Sequence, residues 1–156
     1  MATEAQRDFA RNIYAAAQQA TDIAPEFVTA QAILESGWGK SRIGNFNLFG
    51  ITKGTNWTGK TILVLTHEYF NTPNRTFTAP EKIVSVVESE TGDRWYYTVY
   101  RLFKDFDSLE ECLREHTRIL LLLLPQRYVF SSKSQLYLYM VDLQEVVIAT
   151  TKVRIF

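Results

Sequence analysis

The chain has 156 residues, of which 46% are hydrophobic, 22% charged and 13% aromatic; this can bury a sizeable core and excludes an intrinsically disordered protein. Its 17 basic and 17 acidic residues cancel, so the overall positive field that accompanies nucleic-acid binding is missing and no nucleic-acid partner is expected. Cys112 is the lone cysteine, which excludes an internal disulfide and leaves the compartment open.

Met1 to Arg7 lead into no apolar signal core, so no secretion signal is read. Phe9, Ile13 and Ala17 recur every four residues among good helix formers, which predicts a first helix over about 3–20 with one buried stripe. Pro25 and Glu26 suit the first turn of a second helix: proline lacks a donor that would be unpaired there, and the glutamate favours the positive dipole end. Phe27, Ala30, Ile33 and Leu34 are expected to form its apolar face. Ser36-Gly37 should end it, because glycine readily takes the left-handed conformation that closes helices. Glu35 then falls in the last turn.

Residues 37–59 hold most of the glycines, with Trp38, Phe46, Phe49 and Trp57 among them, which predicts an ordered loop packed by aromatics. Three stretches rich in Val, Ile, Thr, Tyr and Trp predict strands over 61–70, 82–88 and 94–103, the last two joined as a hairpin by Glu90-Thr-Gly-Asp93. Ser108 can cap a third helix with Glu110 and Glu111 in its first turn, Leu109, Cys112, Leu113, His116 and Leu120 along one face, and Pro125 after its end. The longest apolar run, Ile119 to Leu124, falls far short of the roughly 20 residues a bilayer requires, so no membrane span is expected. Over 136–141 strand and helix propensities compete, and helix is preferred through Val146. No repeat or linker interrupts the chain, so residues 1–156 read as one domain.

The most informative stretch is Gln31-Ala-Ile-Leu-Glu-Ser-Gly-Trp-Gly39, followed by Asn45-Phe-Asn-Leu-Phe-Gly-Ile51. With Trp57-Thr-Gly59, Thr66-His-Glu-Tyr69 and Tyr100-Arg-Leu-Phe103 ahead of Ser108 to His116, it resembles the glucosaminidase domains of glycoside hydrolase family 73 over about residues 8–120. The resemblance implies an α+β, mainly helical, lysozyme-like fold. A helical lobe would carry Glu35, with a small antiparallel β-lobe and an active-site cleft between the two. It implies a peptidoglycan hydrolase, an endo-β-N-acetylglucosaminidase that cuts β-1,4 bonds of cell-wall glycan strands without a cofactor. A monomer acting at the cell envelope or outside the cell is expected, as in autolysis, phage lysis or delivery by secretion machinery.

Glycosidic cleavage requires a carboxylic acid that keeps its proton near neutral pH, so that the departing oxygen leaves as an alcohol. Glu35, beside Leu34 and Trp38 at the negative end of a helix, is expected to be that acid, since apolar burial and the helix dipole both penalise its charged form. The plain alternative for such a residue is a solvated last-turn glutamate. Glu68 resembles the family's second carboxylate, which acts as base or nucleophile or stabilises the positively charged transition state, with an exposed strand glutamate as the bland alternative. Asp105 and Asp107 read instead as turn and cap groups.

Trp38, Phe49, Trp57 and Tyr69 are candidate platforms for sugar rings, although Phe46 and Phe49 read equally well as loop core. Asn47 could orient the glycan through its amide or hold the loop backbone. His67 and His116 lack metal-pair spacing and no His-Glu-x-x-His run occurs, so no metal site is expected. His116 and Cys112 read as core residues of the third helix, and Lys40, Ser41 and Arg42 as a solvated turn.

The tail departs from the family pattern. A glycine-tyrosine-alanine-threonine-aspartate-proline segment normally follows the last helix, and Val147-Ile-Ala-Thr-Thr151 stands here, with Ile148 where the tyrosine is expected. A lytic transglycosylase or muramidase using the same acid is the nearer alternative, although Asn-Leu-Phe-Gly50 replaces the glycine-leucine-methionine-glutamine block of transglycosylases. A glycan-binding module that has lost turnover is the alternative from another class.

Overall fold

The structure is a computed structural model that describes residues 1–123; the expected helix through Val146, the stop at Pro125 and Ile148 lie outside the described residues. Among the described residues three helices and three strands follow in the order α1 (Glu4–Ala20), α2 (Pro25–Ser36), β1 (Thr61–Phe70), β2 (Lys82–Glu88), β3 (Trp95–Lys104) and α3 (Leu109–Leu123). The chain divides into two compact units: Met1–Ile62 with the stretch beginning at Phe103, and Leu63–Leu102. Helices belong to the first unit and most of the sheet to the second, the α+β composition expected.

In the helical unit, α1 packs against both α2 and α3. Thr3 starts α1 with a capping box: its hydroxyl accepts from the Gln6 backbone N–H while the Gln6 side chain accepts from the Thr3 backbone N–H. Two of the donors left unpaired at a helix start are thereby satisfied. Ser108 caps α3 in the same manner, accepting from the Glu111 N–H at 3.1 Å. The core draws on Ile13 and Ala17 of α1, Val28 and Ala32 of α2, Leu48, Phe106, and Cys112, Leu113 and Leu120 of α3.

One expectation for α2 is corrected. Phe27, Val28, Thr29, Gln31, Ala32 and Ser36 are buried, whereas Ala30 and Leu34 are exposed. Apolar residues lie around most of this helix, so their spacing singles out no face and packing against α1 decides which side is covered.

In the sheet unit, β3 lies between β1 and β2 in a three-stranded antiparallel sheet. Glu88 pairs with Trp95 and Val86 with Tyr97, and an irregularity between Ile83 and Ser85 shifts the register further along. The Ser89 N–H donates to the Arg94 carbonyl at 2.8 Å and closes the β2–β3 hairpin where Glu90 to Asp93 were expected to turn. Tyr97 and Val99 on the central strand are fully buried, while Leu65, Val84 and Val87 on the flanking strands stay exposed. Among the described residues no helix is long and apolar enough to cross a membrane, and no group of three or more His, Cys, Asp or Glu side chains could hold a metal ion.

Candidate active site

Glu35 is half-buried in the last turn of α2. The helix stops at Gly37 with φ 54°, and Trp38 and Gly39 continue in the left-handed region at φ 62° and 78°. For tryptophan that conformation costs about 1–2 kcal/mol, because Cβ crowds the carbonyl oxygen, so the surroundings must enforce it. Ser36 does much of this: its buried hydroxyl donates to the Ala32 carbonyl at 2.5 Å and accepts from the Gly39 N–H at 2.8 Å, and its carbonyl accepts from the Ser41 N–H at 2.9 Å. Phe9 closes the other side, with its ring edge-on to Trp38 and 2.7 Å from the point a Cβ on residue 39 would occupy. The residue after the glutamate is therefore a clamp, and the tryptophan three positions on from the glutamate is held rigidly.

Asn47 is 1% exposed. Its Nδ2 donates to the carbonyls of Ile51 and Lys104, and its Oδ1 accepts from the Ile51 N–H, all at 2.9 Å. Of the two roles the sequence left open, the structure assigns the one that holds the loop backbone, since both amide protons are committed. Phe49 stacks on His116 with centroids 3.8 Å apart. Burial alone pushes the His116 imidazole down to about 3, so the ring is neutral at ordinary pH.

Trp57 is half-buried, with its Nε1–H donating to the Lys60 carbonyl at 2.8 Å and its ring edge-on to Phe106. The Lys104 ammonium lies 4.6 Å from the centre of that ring. Lys104 is itself buried and ion-paired with Glu115, which also binds Arg118 at 2.7 Å. Arg118 and then Lys104 hold the Glu115 carboxyl down to about 2 against the opposing effect of burial. Asp107 pairs with Lys60 on the surface rather than capping α3, a role that belongs to Ser108.

In the sheet unit Glu68 lies on β1, and its Oε2 accepts from Arg101 Nη1 of β3 at 2.7 Å. Arg101 Nε donates to Glu81 Oε1 at 2.9 Å. Tyr69, one residue further along, points to the opposite face, as alternation along a strand requires. There it meets Tyr96, which in turn stacks on His67 at 5.1 Å. The sequence grouped Glu68 and Tyr69 in one site, and the sheet separates them.

The model of the family Glucosaminidase, mannosyl-glycoprotein endo-beta-N-acetylglucosaminidase, matches residues 11–153. The chain belongs to this family. Over 76 residues it is 41% identical to a protein named probable N-acetylmuramidase from Lactococcus lactis subsp. cremoris, covering 45% of this chain and 17% of that protein. Over 49 residues it is 47% identical to the peptidoglycan hydrolase FlgJ of Pseudomonas aeruginosa, covering 28% of this chain and 12% of that one. The chain spans less than a fifth of the length of these two relatives. Among solved structures it is similar to a peptidoglycan hydrolase mutant from Sphingomonas sp. A1, at 31% identity and a TM-score of 0.50, covering 79% of this chain and 68% of that one. The fold class is therefore the lysozyme-like α+β class of the glucosaminidases.

Against this family background the residues missed by sequence reasoning stand out. Arg101, Glu81 and Lys104 hold candidate side chains in place, yet none was singled out, because each acts on a residue far away in the chain. Only the Tyr100-Arg-Leu-Phe103 block carried a hint.

Proposed function

We propose that this glucosaminidase-family chain is a glycoside hydrolase of peptidoglycan that cuts the β-1,4 bond after N-acetylglucosamine. Glu35 delivers a proton to the departing oxygen, and Glu68 is the second carboxylate, activating water or stabilising the positive charge that develops on the sugar. The observation that carries this reading is the placement of Glu35: half-buried in the last turn of α2, and followed in the chain by a left-handed turn that fixes Trp38. Trp38 and Trp57, each held by an aromatic neighbour, are the sugar platforms of this proposal. Its site of action is the bacterial cell envelope or the medium outside it, and no cofactor takes part.

The test is turnover on purified cell-wall sacculi. Glu35→Gln should lower kcat by about 1000-fold while leaving the fold intact, in line with the contribution of a general acid. A Glu35→Gln protein that releases saccharides at the wild-type rate removes Glu35 from the role, and a wild-type protein that binds sacculi without releasing fragments makes the chain a glycan-binding module. A second reading, cleavage after N-acetylmuramic acid, draws support from the relative named N-acetylmuramidase. Reducing-end analysis separates the two: N-acetylglucosamine ends support the first, N-acetylmuramic acid ends the second, and anhydro ends a transglycosylase.

A further inference from the structure

Arg101 stands on the central strand of the sheet between two carboxylates that come from different parts of the chain. Its Nη1 reaches Glu68 Oε2 at 2.7 Å, and its Nε reaches Glu81 Oε1 at 2.9 Å. The backbone N–H of Leu102 donates to the same Glu81 oxygen at 2.8 Å, and the guanidinium lies 4.7 Å from the centre of the Phe77 ring. The Arg101, Glu68 and Glu81 side chains are only 18%, 21% and 18% exposed. A guanidinium engaged along two edges and over one face cannot swing, so the carboxylate it holds is fixed with it.

The stoichiometry matters as much as the geometry. One cation serves two carboxylates, so the cluster keeps a net negative charge after pairing. The ion pair uses Oε2 of Glu68 and leaves Oε1 outside it. Glu81, which spends its oxygen on Arg101 and on the backbone, anchors the cation without competing for the other oxygen of Glu68.

We propose that Arg101, tethered by Glu81, is the positioning residue for Glu68: it fixes the carboxylate through Oε2 and presents Oε1 to the reaction. This rests on the reading of Glu68 as the second carboxylate. It differs from a purely structural salt bridge in one measurable respect: losing a positioning group lowers kcat in a protein that still melts as the wild type does, and a replacement guanidinium should raise that kcat.

The experiment compares wild-type, Arg101→Ala, Arg101→Lys and Glu68→Gln proteins on sacculi, with and without added millimolar guanidinium ion, each protein first checked by thermal melting. Arg101→Ala should lose about 100-fold in kcat, the scale of a misplaced catalytic group, with KM unchanged. Guanidinium should restore part of that turnover in Arg101→Ala and none in Glu68→Gln. Arg101→Lys keeps the charge but not the planar fork, so its kcat should fall at unchanged KM; this variant carries the test where Arg101→Ala does not fold. Wild-type kcat in Arg101→Lys, or a loss in a folded Arg101→Ala that guanidinium does not restore, overturns the positioning role while Glu68→Gln remains inactive. Wild-type turnover in Glu68→Gln defeats the assignment of Glu68 itself, and the role of Arg101 with it.

Discussion

The two candidate carboxylates are held by different physics. Around Glu35 the backbone does the holding: a helix stop, three successive left-handed residues and a serine hydroxyl that ties both sides of the turn together. Around Glu68 the backbone is ordinary strand, and a fork of charged side chains does the holding instead. A group placed by backbone geometry resists salt and pH but fails when one glycine or one loop anchor changes. A group placed by charge tolerates backbone variation and fails when its partner is removed.

The strongest blow to the backbone-held side is at Asn47. Asn47→Ala leaves the Ile51 N–H and the Lys104 carbonyl short of a buried partner, while the Ile51 carbonyl keeps the Lys104 N–H, and should cost about 3 kcal/mol in urea unfolding, independent of salt. A loss below half that size would mean that solvent or a relaxed loop replaces the amide. Gly39→Ala comes next, because a Cβ there meets Phe9 at 2.7 Å and the φ of 78° is strained for alanine. About 2 kcal/mol of destabilisation is expected, together with lower turnover, since the Trp38 turn must shift; unchanged melting would show that this turn is softer than its geometry implies.

Acid sharpens the contrast further. His116 is held neutral in the fold, its pKa pushed from 6.5 to about 3 by burial, so the unfolded chain takes up a proton that the folded one refuses. The stabilising contribution is complete above pH 6.5 and is lost as pH falls from 6.5 towards 3, with a slope of up to about 1.4 kcal/mol per pH unit. Urea midpoints measured across that range should flatten in His116→Phe, and an identical slope in the variant would place the proton uptake elsewhere. The smallest effect belongs to Asp107→Asn. The Lys60 and Asp107 side chains are 67% and 72% exposed, so their ion pair should contribute no resolvable change in melting temperature; a clear drop would show that even an exposed pair anchors the helical unit.

The same contrast explains what could be read from the sequence. Pro25, Gly37 and Ser108 mark their helix ends through local chemistry, and the ends fall where they predict. The position of Glu35 in the last turn of α2 was legible for that reason. The left-handed tryptophan at position 38 was not, because its conformation is imposed by Ser36 from within the turn and by Phe9 from α1. Arg101 gave no local sign of its task, since the strand that brings it to Glu68 joins residues 33 positions apart in the chain. Tyr69 could have been separated from Glu68 in advance: adjacent residues of a strand face opposite ways, and the strand itself was foreseen. The exposed Leu34 shows the limit of periodicity where a helix is apolar on most sides.

Cys112 carries a practical consequence. Its side chain is fully buried on α3, and burial drives the thiol up to about 12, so the nucleophilic thiolate is scarce and shielded from reagents. A pair of cysteines introduced on the surface could therefore take fluorophores or spin labels by alkylation with the native thiol left in place, giving distance measurements on the wild-type core.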